Sequence, residues 1–78
     1  MRSNKEKAFL RKFGLNLKRI REKKGLSLRE LSYLCDIDNS KISKMEQGAV
    51  NVTLRTILHL AEALEVYPYD LIHLENRD

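Results

Sequence analysis

The chain has 78 residues and a formal net charge of +4, a length that accommodates one small domain. Its single cysteine rules out an intramolecular disulfide, and no apolar run approaches the roughly 20 residues that a membrane span requires. No secretory signal pattern is visible, so we expect a cytoplasmic protein.

Positive charge is concentrated in the first third of the chain. Residues 1–24 contain ten Lys or Arg residues and two Glu residues, whereas residues 25–78 contain five Lys or Arg residues and nine acidic ones. A basic segment of this kind suits a polyanion such as DNA, although Lys and Arg can equally well keep an exposed helix in solution. Charge alone therefore leaves both interpretations open.

Residues 8–24 have the spacing of an amphipathic helix. Apolar side chains recur at intervals of four, four and three residues, at Phe9, Phe13, Leu17 and Ile20. Gly25 is expected to end this helix because glycine tolerates positive φ. Residues 1–7 are polar and are expected to be flexible, which leaves residues 8–78 as a single domain.

Residues 27–48 predict two short helices with a tight break between them. Ser27 can cap the first helix, and Glu30 three residues later completes a capping-box pattern. The apolar residues of this helix are Leu28, Leu31, Tyr33 and Leu34. Asp38 can cap the second helix, and Gly48 can end it. This is the layout of a helix-turn-helix, whose second helix enters the DNA major groove with its N-terminal residues at the base edges.

Two further helices complete the predicted fold. Thr53 can cap a fourth helix over residues 54–65, with its inward face expected at Leu54, Ile57, Leu58, Ala61 and Leu64. Pro68 interrupts the chain because it disfavours the α region for its predecessor. Pro68 or Tyr69 can then start a short fifth helix over residues 70–75. Since no strand pattern is present, the sequence predicts an all-α, compact five-helix bundle with the helix-turn-helix at helices 2 and 3.

Several motifs stand at fixed spacing along this chain, namely Leu17–Ile20–Arg21, Gly25-Leu26-Ser27, Glu30-Leu31, Ile42-Ser43, Glu46 and Gly48, followed by TLRTILHLAEALEV. Together they resemble the Cro/repressor-like helix-turn-helix family, also called the XRE family. The length and the NVTL stretch are most similar to restriction–modification controller proteins, which are small dimeric regulators. The resemblance implies a lambda-repressor-like DNA-binding fold and a homodimer that regulates transcription from a near-palindromic operator in double-stranded DNA.

The resemblance also implies roles for polar residues of the helix-turn-helix. Asn39, Ser40 and Lys44 would reach base edges, which suits their hydrogen-bonding groups. Asp38, at the helix entrance, could cap the helix or accept from a cytosine amino group, and capping is the favoured role. The residues expected to contact phosphate are Arg21, Lys41, Ser43, Asn51 and Arg29.

Two further positions carry over from the family. Arg21 and Glu46 match a pair that forms a partly buried salt bridge between the first helix and the end of the recognition helix. Leu28 departs from the family, which commonly carries a phosphate-contacting Gln at this position. Because leucine cannot donate, that contact is expected to fall to the backbone amides at the helix start or to Arg29.

The end of the chain is rich in apolar residues for so short a helix. These residues either cover the core or form a twofold interface, and the family's controllers dimerise through this region. The predicted interface comprises Tyr67, Tyr69, Leu71, Ile72 and Leu74, and Leu60 and Ala63 could join it.

No residue pattern indicates catalysis. His59 and His73 have no cysteine or carboxylate at metal-ligand spacing. The serine residues lack a nucleophile motif, and there is no glycine-rich phosphate loop. The sequence therefore predicts neither an enzyme nor a metal, cofactor or small-molecule ligand.

Two other functions remain open on the sequence alone. The apolar C-terminal segment is also compatible with the antitoxin half of a toxin–antitoxin pair, or another protein-interaction module. A bundle that has lost DNA binding is a third hypothesis, which rests on Leu28 and the acidic residues Asp36 and Asp38.

Overall fold

A computed structural model of the protein describes residues 4–74. This part of the chain forms five helices and no strand, so the all-α prediction is confirmed. The helices are α1 (Asn4–Lys23), α2 (Leu28–Cys35), α3 (Asn39–Glu46), α4 (Leu54–Leu64) and α5 (Pro68–Ile72).

Glycine and capping side chains set most of the helix ends, as the sequence predicts. Gly25 follows α1 with φ 76° and Gly48 follows α3 with φ 73°. Thr53 Oγ1 accepts the amide of Thr56 at the start of α4, at 3.1 Å. Local chemistry of this kind needs no tertiary partner, which is why it can be read from the sequence.

Two helices have ends that differ from the prediction. Residues 4–7, expected to be flexible, form the first turn of α1, and residues 1–3 lie outside the described part. Helix α5 begins at Pro68, one of the two expected starting residues, since proline suits the first helical position. It ends at Ile72, and residue 75 of the predicted range lies outside the described residues.

The core is formed by apolar side chains from all five helices. Cys35 belongs to it, and burial raises the pKa of its thiol. The buried hydrophobic residues are Phe13, Leu17, Ile20, Leu31, Cys35, Ile42, Met45, Ile57, Leu60, Ala61, Leu64 and Leu71.

The predicted inward face of α4 is wrong at several positions. Leu54 and Leu58 are exposed, whereas Leu60, expected at a dimer surface, is fully buried in the core. Ala63 is half-buried and packs against the core. Apolar residues cover more than half of the circumference of α4, so spacing alone does not fix the centre of the side that contacts the other helices.

Other apolar residues placed on core faces from spacing lie at the surface. Phe9 on α1 and Tyr33 and Leu34 on α2 are exposed. Helix α2 contacts the core instead through Leu31 and Cys35, which stand four residues apart on one side.

Helices α1 and α3 approach one another closely because Gly14 has no side chain. A Cβ atom at Gly14 would lie 2.4 Å from the backbone oxygens of both Met45 and Glu46. This close approach fixes the end of α3 against the middle of α1.

Helix α5 is attached to α1 by a side chain that sequence reasoning did not single out. Asn16 Nδ2 donates to the backbone oxygen of Asp70 at 3.0 Å and to that of Leu71 at 2.9 Å. Leu71 is fully buried beneath this contact. The two hydrogen bonds position a helix of only five residues, which could not be stable by itself.

Candidate nucleic-acid interface

The segment from Ser27 to Glu46 is a helix-turn-helix. Ser27 Oγ accepts the amide of Glu30 at 3.0 Å, and the Glu30 carboxylate accepts the amide of Ser27 at 2.8 Å. This confirms the capping box at the start of α2. Asp36 ends α2 in the left-handed conformation, with φ 58°, and the chain turns over residues 36–38 into α3.

Helix α3 has distinct inner and outer faces. Ile42, Met45 and Glu46 are buried, whereas Ser40 and Lys44 are exposed. Lys41 is also exposed, and Asn39 is half-buried at the first turn. The predicted base-contacting residues therefore lie on one short helix whose inner side is fixed by the core.

Asp38 caps α3, as the favoured interpretation of this residue requires. Its Oδ2 atom accepts the backbone amide of Ser40 at 3.0 Å and also the Ser40 hydroxyl. These hydrogen bonds, above all the one from the hydroxyl, lower the pKa of Asp38. Because the Ser40 hydroxyl donates to Asp38, its oxygen is the group left to face a base, as an acceptor.

Arg21 and Glu46 form the predicted ion pair between α1 and α3. Arg21 Nε donates to Glu46 Oε2 at 2.6 Å, and Nη2 donates to Oε1 at 3.0 Å. Arg21 is 7% exposed and Glu46 8% exposed. Arg21 Nη1 also donates to the backbone oxygen of Leu26, at 2.8 Å. The hydrogen bond to Glu46 raises the pKa of Arg21, so the guanidinium stays charged.

This geometry gives Arg21 a positioning role first. Three of its five N–H groups are used within the protein, and little of the side chain reaches the surface. A phosphate contact by the two other N–H groups stays a prediction.

The other predicted phosphate-contacting residues are accessible. Arg29 on α2, Lys41 on α3 and Asn51 in the loop before α4 are exposed. Ser43 is half-buried, and its hydroxyl oxygen accepts from Gln47 Nε2 at 3.0 Å. Gln47 was not singled out from the sequence, although it lies one turn after Ser43 and Lys44 on the exposed side of α3.

A groove of about 490 Å³ borders the outer face of α3. It lies between α1, α2 and α3, and its walls include Leu28, Ser43 and Gln47. Arg11 and Lys18 of α1 also line it. The sequence shows these two cations only as part of a basic segment, because their position beside α3 depends on how α1 packs.

The predicted dimer surface is exposed in part. Tyr67 is 79% exposed, Tyr69 61% and Ile72 42%. The prediction is wrong for Leu71, which is fully buried in the core of the protomer. Leu74 is half-buried and packs against the same core.

Among residues 4–74, no helix is long and apolar enough to cross a membrane. The same part of the chain contains no group of three or more His, Cys, Asp or Glu residues arranged to hold a metal ion.

Fold and site together define a helix-turn-helix protein of the Cro/repressor-like class, with a recognition helix anchored by its inner face and polar on its outer face. The chain belongs to the helix-turn-helix domain family, whose model matches residues 12–74.

Relatives within this class include restriction–modification controllers. The chain is 38% identical over 61 residues to control protein C.BamHI of Bacillus amyloliquefaciens, covering 77% of this chain and 75% of the relative. The crystal structure of the restriction–modification controller protein C.AhdI from Aeromonas hydrophila has 44% sequence identity and a TM-score of 0.81, covering 82% of this chain and 97% of the other. The clp gene regulator ClgR from C. glutamicum has 25% identity and a TM-score of 0.80, with 83% of each chain covered. The resemblance to this family and to its controllers is therefore confirmed.

Proposed function

We propose that the protein is a transcription regulator that binds double-stranded DNA in a sequence-specific manner as a homodimer. The outer face of α3 carries this proposal: Ser40, Lys41 and Lys44 are exposed, while Ile42 and Met45 hold the helix from behind. A helix fixed in this way can enter the major groove without rearranging. Its relatives are described as a control protein, a controller and a gene regulator, which agrees with the expectation that the chain is not an enzyme.

The chemistry of each polar side chain determines whether we assign it to a base or to a phosphate. Asn39 can form a bidentate pair with adenine, and Lys44 can donate to guanine O6 or N7. Ser40 would accept from a base amino group, because its proton is shared with Asp38. Lys41 and Arg29 would contact phosphates, which fixes the register without reading sequence.

The homodimer is supported by exposed apolar side chains on α4 and α5. Leu54, Leu58, Tyr67, Tyr69 and Ile72 all reach the surface. A single core of this size rarely contributes more than about 3–5 kcal/mol, so burial of these residues against a second copy would add stability. Two recognition helices related by a twofold axis would then reach successive major grooves about 34 Å apart.

The restriction–modification controller role follows from the same relatives, and a phage-type repressor would use the same surfaces. In either case the protein would act in the cytoplasm, where its DNA is. The comparisons do not favour the antitoxin hypothesis, because the relatives are described as controllers and a gene regulator.

Selection of bound sites from random duplexes tests the proposal. The selected sites should contain two inverted half-sites. Replacing Asn39 or Lys44 with Ala should weaken binding by about 1–3 kcal/mol and relax base preference at one position in each half-site. Lys23→Ala, on a different side of α1, is the control and should leave base preference unchanged. Unchanged preference in both the Asn39 and the Lys44 variants would reject these base contacts.

A further inference from the structure

The groove between α1, α2 and α3 carries an excess of positive charge. Arg21 and Glu46 line it, but they neutralise one another in a bidentate pair. Arg11 and Lys18 are left as its uncompensated charges. Within residues 4–74, neither side chain forms an ion pair.

Helix geometry places these two cations on the same side of α1. They are seven residues apart, which corresponds to two turns and about 10 Å along the helix axis. The turn that follows α3 lies directly against Arg11, since a Cβ atom at Gly48 would lie 2.8 Å from the Arg11 Cα atom. The position of Arg11 beside the recognition helix is thus fixed by backbone contact.

The groove continues the outer face of α3. Ser43 and Gln47 line it, and Gln47 follows Lys44 by three residues, so the two are neighbours on the helix surface. A duplex seated with its major groove over Lys44 would bring its sugar–phosphate backbone toward this edge of α3. Leu28, the first residue of α2, also lines the groove and offers no side-chain donor.

We propose that this groove binds the DNA backbone, with Arg11 and Lys18 donating to phosphate oxygens. The proposal rests on the DNA-binding function above and assigns two contacts that the helix-turn-helix itself does not contain. The two cations of α1 supply the charge that Leu28 cannot, and Ser43 and Gln47 complete the polar wall. Such contacts add affinity without adding base specificity.

The test is the salt dependence of binding to a duplex recovered by site selection, measured for Arg11→Gln and Lys18→Gln. Each substitution removes two cations from the homodimer, so each variant should reduce the magnitude of the slope of log K against log salt by about 1.8, and lower affinity about five- to tenfold per half-site at 0.1 M salt. Lys18→Arg, which keeps the charge, should retain the wild-type slope. Lys23→Gln removes the same charge from another side of α1 and is the matched control, with an expected loss of less than about twofold.

The outcomes separate this proposal from the function on which it depends. If the wild-type protein binds no duplex, the DNA-binding function itself is rejected, and this proposal with it. If the wild type binds but Arg11→Gln and Lys18→Gln behave like Lys23→Gln, the groove is not a phosphate site and the helix-turn-helix assignment stands. A wild-type melting temperature in both variants excludes unfolding as the cause of any loss.

Discussion

Helix α3 is held against α1 by backbone contact and a buried ion pair, whereas α4 and α5 leave tyrosines, leucines and an isoleucine at the surface. The first region, the α1–α3 contact, contains Gly14, Arg21 and Glu46 and needs nothing from outside the protomer. The second region, the α4–α5 surface, differs because it exposes apolar side chains such as Tyr67 and Ile72.

This difference suits two separate tasks. A recognition helix must keep its orientation before DNA arrives, because misplacement would cost binding energy at every contact. A dimer surface must instead remain apolar and accessible until a second copy covers it. Substitutions that alter one region and leave the other intact can therefore separate the two tasks.

The largest effect is expected from Gly14→Ala. The added methyl group would lie 2.4 Å from two backbone oxygens of α3, and backbone atoms cannot move aside as a side-chain end can. We expect a loss of about 3–5 kcal/mol, which is most of the stability available to a domain of this size. Urea unfolding followed by circular dichroism measures this loss.

Gly25→Ala is the control for that substitution. Nothing lies within 4 Å of a Cβ atom at Gly25, but its φ is 76°. Only backbone strain of about 1–2 kcal/mol is therefore expected. Equal losses at the two glycines would contradict the importance of the α1–α3 contact.

The next largest loss of stability is expected from Glu46→Gln. This substitution keeps the shape of the side chain and leaves the Arg21 charge buried without a carboxylate. A loss of about 2–3 kcal/mol is expected, somewhat below that of a fully buried pair. The double variant Arg21→Met/Glu46→Leu should recover most of this stability but not DNA affinity, since the pair's main value is to orient α3. If the double variant is as unstable as Glu46→Gln, the ion pair itself contributes to the free energy of unfolding, and orienting α3 is not its main role.

In the α4–α5 surface, Tyr67→Ser should weaken the proposed dimer about tenfold or more, because exposed tyrosines are frequent anchors of interfaces. Tyr33→Ser on α2 is a closely matched control, since both tyrosines are 79% exposed. Sedimentation equilibrium measures both dissociation constants. The proposed interface is incorrect if Tyr33→Ser dissociates the dimer and Tyr67→Ser does not.

The smallest effect concerns pH and the cap of α3. Hydrogen bonds from Ser40 lower the pKa of Asp38 in the folded protein, so its stabilising effect is present above about pH 4 and is lost as the pH falls through the lowered value. Asn caps helices as well as Asp, so Asp38→Asn should lack this acid-dependent loss. Urea midpoints of wild type and Asp38→Asn should be similar at pH 7, and the wild-type midpoint should fall below that of Asp38→Asn at pH 3, with Asp36→Asn as the control.

Features that depend on a few neighbouring residues could be predicted from the sequence. The expected helix caps are present: Ser27 with Glu30 at α2, Asp38 at α3 and Thr53 at α4. The turn at Gly25 has the expected positive φ. The Arg21–Glu46 pair was found through the family resemblance, because 25 residues separate its members and no local pattern joins them.

Features that depend on packing could not be predicted in the same way. Leu60 and Leu71 are in the core while Leu54 and Leu58 are not. On α4 the apolar side is wider than the area that the other helices cover, so spacing alone does not show which leucines are buried. The double hydrogen bond of Asn16 and the position of Lys18 beside α3 likewise arise only once α1 has packed. The polar outer face of α3 was predictable from the sequence, and its anchoring by Arg21 and Glu46 was expected from the family resemblance.

The central claim is that the outer face of α3 enters the major groove of DNA, once in each half-site. Methylation interference on a selected duplex tests it most directly, because guanine N7 lies in the major groove. We expect methylated guanines to block binding in two clusters about one helical turn apart, with centres about 34 Å from one another. Unimpaired binding to duplexes methylated at every such guanine, combined with inhibition by minor-groove modification, would contradict the claim.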